Sequence, residues 1–160
     1  MSKVGWKTHF CFFRDMENLK SIIKNHLSEG IVLMDLVHNI SSDFVKVTID
    51  SFNNIPIKET SKIARRIKND DSILSMFPDG CSLEVGTPGI DSKLTEKFQY
   101  KKNIGRKIFL EFINDNHNVV SDVFTLVNVG NESISVSNNQ SNYLVLFENI
   151  ILAKIKVVFD

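Results

Sequence analysis

The second half of the chain, from Arg106 onward, is a series of short apolar runs separated by polar, turn-prone segments. The runs are rich in Val, Ile and Phe, which favour strands because branched and aromatic side chains pack well on a pleated surface. They cover residues 107–113, 119–129, 133–137, 143–147 and 151–159. Evenly spaced short strands of this kind predict a small all-β barrel or sandwich.

The first half has a mixed pattern that begins with a helix and a hairpin. Residues 14–27 repeat apolar side chains at helical spacing, and Gly30 follows as a stop signal. Residues 31–37 and 44–50 are two apolar segments, the second strictly alternating, with a polar stretch between them. They predict an amphipathic helix followed by two strands of a hairpin.

A second helix and a third strand are predicted further along the first half. Pro56 precedes residues 58–68, whose apolar positions lie on one helical face while basic side chains cover the remainder. A short turn is predicted over residues 70–77, and residues 81–85 alternate as a strand does. The order helix, strand, strand, helix, strand predicts a two-layer α-β-β-α-β domain.

The change from a mixed to an all-β pattern predicts two domains in one α+β chain. We expect an N-terminal extension over residues 1–13, an α/β domain over residues 14–90 and a β-barrel domain over residues 91–160. With 42% hydrophobic residues in a chain of 160, both domains can bury a core without metal or disulfide support.

Charge and cysteine content limit the partners and the compartment. Nineteen basic residues balance 19 acidic residues, so no overall field draws the protein to nucleic acid or to acidic lipid. No apolar run reaches the roughly 20 residues of a membrane span. Two cysteines, Cys11 and Cys81, suit a reducing cytoplasm better than a disulfide framework.

Two segments are nevertheless strongly basic. Residues 58–68 hold five basic side chains and one acidic one, and residues 93–107 hold six basic and one acidic. The simplest interpretation of either segment alone is a solvated surface. Together they favour a surface that neutralises phosphates. The candidate RNA- or ribosome-binding residues are Lys58, Lys62, Arg65, Arg66, Lys68, Lys93, Lys97, Lys101, Lys102, Arg106 and Lys107.

Catalytic and metal-binding patterns are not found in the sequence. The four histidines have no helical metal spacing, and phosphate-loop, nucleophile-elbow and dinucleotide-binding motifs do not occur. Cys81 shares a strand face with apolar residues, which favours a buried hydrophobe over a nucleophile. The sequence therefore predicts no catalytic residue, no metal, no cofactor and no small-molecule substrate.

The segment LEVGTPGID, residues 83–91, predicts a turn after the third strand. Pro88 and Gly89 suit the central positions of a type II turn, in which the glycine needs a positive φ, and Thr87 and Asp91 flank them. The segment resembles the signature Leu-Glu-Val-Ser-Ser-Pro-Gly-Leu-Asp-Arg-Pro-Leu of the ribosome maturation factor RimP family. FQYKKNIGRK at residues 98–107 and FENIILAKIK at residues 147–156 are similar to further family segments, in the same order.

This resemblance, which covers roughly residues 16–158, implies an SH3-like or Sm-like barrel for the second domain. It also implies a non-catalytic, monomeric, cytoplasmic factor that binds the immature small (30S) ribosomal subunit, through ribosomal RNA or a ribosomal protein, and assists its maturation. Two other classes stay open from the residues alone: a protein-binding adaptor that uses the barrel without RNA contact, and a small enzyme, which the lack of catalytic motifs disfavours.

Overall fold

The computed structural model describes residues 5–157, with side chains from Asp15 onward. The chain divides into two compact units, one ending at Pro88 and the other beginning at Gly89. The elements of the first unit are α1 (Gly5–Asn25), β1 (Ile31–Asn39), β2 (Phe44–Ser51), α2 (Ile57–Lys68), α3 (Asp71–Met76) and β3 (Ser82–Gly86). That each unit folds independently remains a prediction.

The first unit has a three-stranded sheet in the order β1-β2-β3. β1 and β2 form the predicted antiparallel hairpin, and β3 returns parallel to β2 after a crossover through α2 and α3. In β2 the residues Val45, Val47 and Ile49 are buried because successive side chains alternate between the two faces of a strand. Leu19 and Ile23 of α1 are buried in the same core cluster.

Two features of the first unit differ from the sequence prediction. α1 begins at Gly5 instead of residue 14, so residues 5–13 of the predicted extension belong to a helix, and the remainder, residues 1–4, lies outside the described residues. The predicted turn over residues 70–77 is the short helix α3. The Asp70 side chain caps α3 by accepting a 2.8 Å hydrogen bond from the Ser72 amide, which satisfies one of the helix's open N–H groups.

The second unit is a five-stranded antiparallel sheet with one short helix. Its elements are α4 (Lys97–Lys101), β4 (Lys107–Ile113), β5 (Val119–Val129), β6 (Ser133–Ser137), β7 (Asn142–Leu146) and β8 (Ile150–Ile155). The sheet order is β7-β6-β5-β4-β8, so β8 returns to pair with the first strand of the unit. The mixed α+β class is confirmed, whereas the finer SH3-like or Sm-like barrel stays a prediction.

One face of this sheet forms the second core. Ile108, Leu110 and Phe112 of β4 are buried at every second position, as period-two patterning requires. Phe112 and Phe124 meet edge to face with ring centroids 6.1 Å apart, and the Tyr143 ring contacts both. Tyr100 of α4 is buried in the same cluster, which fixes this helix to the sheet.

The turn after β3 lies two residues later than predicted, and the predicted role of Gly89 is wrong. The Ser92 amide donates a 3.0 Å hydrogen bond to the Gly89 carbonyl, so the turn runs from Gly89 to Ser92. Gly89 therefore takes the first position of a turn, which any residue can occupy, and its φ is not positive. Thr87 and Pro88 precede the turn, and Asp91 lies inside it.

Among the described helices, none combines the length and the apolar character needed to cross a membrane.

Candidate nucleic-acid interface

α2 separates an apolar face from a cationic face. Ile63 and Ile67 are buried in the first core. Lys58, Lys62 and Arg65 lie at spacings of four and three residues, which places them on one side of the helix, and all are exposed. We call these three residues the α2 stripe. It extends about 10 Å along the helix axis, and the exposed Lys68 continues it at the C-terminal end.

The α2 stripe has no acidic partner. In the part of the chain that the structure describes, its three side chains form no hydrogen bond or ion pair. Glu59, the one acidic residue of α2, is directed to Arg66, with 3.7 Å between its Oε1 and the Arg66 Nη2. The stripe's positive charge is therefore available to a ligand, and phosphate is the anion whose neutralisation by such side chains releases counterions.

Arg66 holds the fold together instead of joining the α2 stripe. Its Nη1 donates a 3.2 Å hydrogen bond to the carbonyl of His26, just beyond the end of α1. Glu59 in turn accepts a 2.8 Å hydrogen bond from the Ser28 hydroxyl. These contacts tie the segment after α1 to α2. The sequence placed Arg66 with the binding residues because adjacent arginines look alike until the helix is packed.

A second polar contact orients the C-terminal end of α2. The His26 Nε2 lies 2.8 Å from the Asp70 Oδ2. This hydrogen bond, followed by the one from the Ser72 amide, lowers the pKa of the Asp70 carboxyl below its usual value. Asp70 is thus a cap and an anchor, and it places no negative charge against the α2 stripe.

The basic residues of the second unit are less uniform, and three of them contact their own unit. The Lys97 ammonium donates to the Asn131 carbonyl and lies 5.5 Å from the centroid of the Phe147 ring. Lys102 lies over the Phe98 ring at 5.6 Å. Arg106 Nη1 donates a 3.0 Å hydrogen bond to the Asn103 Oδ1.

The other three basic residues of this unit are exposed. Lys93 forms a backbone bridge with Lys154 at the open side of β8, and Lys101 ends α4. Lys107 begins β4 and lines a polar cavity of about 300 Å³ together with Asp122 and side chains of the β6–β7 turn. For these three lysines, the described residues offer no ion pair. The predicted set in this unit is thus a scattered surface.

The aromatic residues near this second cluster serve packing. Tyr100 is 2% exposed, and its ring meets the Phe147 ring edge to face at 5.3 Å. Its hydroxyl donates a 3.1 Å hydrogen bond to the Leu94 carbonyl. Burial raises the pKa of Tyr100 to about 12. A residue held in this way cannot stack on a base, which leaves the lysines and arginines as the groups able to meet RNA.

Groups with catalytic potential are not assembled in the described residues. No cluster of three or more His, Cys, Asp or Glu side chains is placed to hold a metal ion there. Cys81 is partly buried against the first core. Desolvation raises the pKa of its thiol, which disfavours the thiolate that a nucleophile needs. Cys11 lies outside the residues whose side chains are described.

Comparison with known proteins identifies two relatives of the same description. The chain is 32% identical over 94 residues to the ribosome maturation factor RimP of Flavobacterium psychrophilum, and 29% identical over 75 residues to that of Christiangramia forsetii. These alignments cover 58% and 47% of this chain, and the same shares of the relatives. The chain therefore matches about half the length of each. No family model matches it.

Proposed function

We propose that this protein is a ribosome maturation factor that binds the immature small ribosomal subunit and assists its maturation without catalysis. The observation that carries the proposal is the α2 stripe, an exposed cationic surface without acidic partners among the described residues, in a chain whose net charge is zero. The similarity to RimP proteins supports the same function.

The proposed mechanism uses binding energy alone. Lys58, Lys62 and Arg65 neutralise phosphates of ribosomal RNA, and the exposed lysines Lys93, Lys101 and Lys107 add contacts from the second unit. A factor that binds one arrangement of a late-folding RNA region more tightly than the others shifts the population toward it. The protein would act in the cytoplasm as a monomer, with no cofactor, metal or small-molecule substrate.

Sedimentation with purified ribosomal particles tests this function. We expect the protein to pellet with free small subunits in preference to large subunits or assembled ribosomes. Raising the salt concentration from about 50 to 200 mM should weaken the binding by orders of magnitude if several phosphates are contacted. Equal binding to all particles would contradict a role specific to the small subunit.

A protein-binding adaptor is the second candidate, and the edge strand β7 favours it. Leu144 is 71% exposed, and Leu146, two residues later, is also exposed on this strand. An edge strand with outward leucines can add a partner strand through its backbone. Binding of this kind depends little on salt, so the same sedimentation experiment separates the adaptor from the RNA-binding factor.

A further inference from the structure

The first unit contains a small cavity that the proposed RNA contact does not use. Its volume is about 210 Å³, and it is enclosed by α1, the turn between β1 and β2, and the segment that follows α3. Leu19 and Phe77 belong to the buried core, so this part of the lining is rigid and apolar. The remaining apolar residues around it are Met16, Ile40, Met76 and Pro78.

The polar part of the cavity lining is acidic. Asp15, Asp43 and Asp79 line it, and no lysine or arginine is present among its described lining residues. These three aspartates come from α1, the β1–β2 turn and the segment after α3, so no local sequence pattern announces them. An apolar floor with carboxylates around it matches a ligand that is both apolar and cationic.

A buried polar atom in this cavity has no partner among the described residues. The His38 Nε2 is excluded from solvent and forms no hydrogen bond, and the nearest acidic atom, the Asp43 Oδ1, is 3.6 Å away. The His38 ring packs edge to face on Phe77 with 5.2 Å between centroids. Because leaving a buried polar atom unpaired costs free energy, such an atom in a native fold requires an explanation.

We propose that this cavity binds an arginine side chain presented by a partner protein. The planar guanidinium offers several N–H donors, which satisfy the His38 Nε2 and the carboxylates of Asp43 and Asp79 together. Its face and its methylene stem fit the apolar lining around Phe77. Flanking apolar side chains of the partner segment contact Met16 and Met76, which adapt to irregular shapes. An anionic ligand such as RNA is repelled by the aspartates.

Nuclear magnetic resonance titration of the ¹⁵N-labelled full chain with the peptide acetyl-Leu-Arg-Leu-amide tests the proposal. We expect saturable shifts at the amides of His38, Asp43 and residues 77–79. The matched peptide with citrulline in place of arginine keeps the shape and removes the charge. It should bind at least about tenfold more weakly, because it cannot form charge-assisted hydrogen bonds.

Variants identify the groups responsible. Asp43→Asn with Asp79→Asn should weaken binding of the arginine peptide about tenfold, since two carboxylates are removed. Asparagine tolerates the left-handed φ of 43° at position 43, so the turn is preserved. Asp71→Asn with Asp115→Asn removes the same charge at exposed sites outside the cavity and should leave binding unchanged.

His38→Phe separates binding from folding. Removing a buried atom without a partner should leave the thermal midpoint unchanged or higher, whereas peptide binding should fall. The proposal is wrong if the citrulline peptide binds as tightly as the arginine peptide, if the shifts lie elsewhere, or if the Asp43 and Asp79 variant keeps full affinity. A changed oligomeric state of that variant would instead assign the cavity to a second copy of the chain. Neutralising the α2 stripe should not affect the peptide, so this test is independent of RNA binding.

Discussion

Backbone conformation decides what a glycine contributes in this protein. Gly105 has a φ of 86°, in the left-handed region that side chains with a Cβ rarely adopt, and its amide donates a 2.7 Å hydrogen bond to the Leu126 carbonyl. Gly89 has no such φ, and an added Cβ there would meet only the Ser92 hydroxyl, at 3.9 Å. The sequence pattern Pro-Gly suggested the opposite importance for Gly89, because turn residues do not by themselves fix the register of a turn.

Alanine at these two positions should therefore have different effects. Gly105→Ala should lower the free energy of unfolding by about 1 kcal/mol or more, because the alanine must adopt a strained φ. Gly89→Ala should change it by less than about 0.5 kcal/mol. Urea denaturation followed by circular dichroism measures both. Equal losses in the two variants would contradict the assigned turn.

The secondary structure shows which elements a sequence pattern can predict. The bounds of β4, β5 and β6 match the predicted strands residue for residue, because apolar residues alternate along them and polar turns separate them. α3 and α4 have six and five residues, too few for a helical period to be visible. A local signal for α4 did exist: the Gln99 side chain accepts a 3.1 Å hydrogen bond from the Glu96 amide, three residues earlier.

α4 also provides a prediction about alkaline pH, because Tyr100 fixes it to the sheet. The pKa of Tyr100 is raised from 10.0 to about 12 in the folded protein, so the neutral phenol is favoured by folding. Below pH 10 the contribution of Tyr100 is fully present. Between about pH 10 and 12 the unfolded chain ionises first, and stability is lost as the pH rises.

Urea denaturation of the wild type and of Tyr100→Phe measures this dependence between about pH 9 and 12, an interval that contains the ordinary pKa of a phenol. The wild type should lose stability more steeply over this interval than the Phe variant. Identical slopes would mean that the phenol is not protected in the folded state.

At the scale of the whole molecule, the chain consists of two units with separate cores. The switch from a mixed to an all-β pattern predicted a boundary at residues 90–91, close to the division between Pro88 and Gly89. Which side chains form a site was less predictable. The role of Arg66 and the cavity around His38 depend on packing between residues far apart in the chain, whereas the α2 stripe follows from helical spacing alone.

Limited proteolysis tests whether the two units fold independently. Ile90 is 68% exposed, and it lies between the last strand of the first unit and the first bridge of the second. Elastase should therefore cleave there first and release two fragments that keep their secondary structure. Initial cleavage inside β4 to β8, or loss of structure in both fragments, would contradict the prediction.

The salt dependence of binding to free small subunits tests the central claim, that the α2 stripe neutralises RNA phosphates. The variant carries Lys58→Gln, Lys62→Gln and Arg65→Gln, and its control carries Lys20→Gln, Lys24→Gln and Lys156→Gln, which change the net charge equally at other exposed sites. The stripe variant should bind more weakly, and the slope of log affinity against log salt should flatten by about one unit for each phosphate that is no longer neutralised. The control should retain the wild-type slope, and the thermal midpoints should agree. An unchanged affinity and slope in the stripe variant would contradict the account.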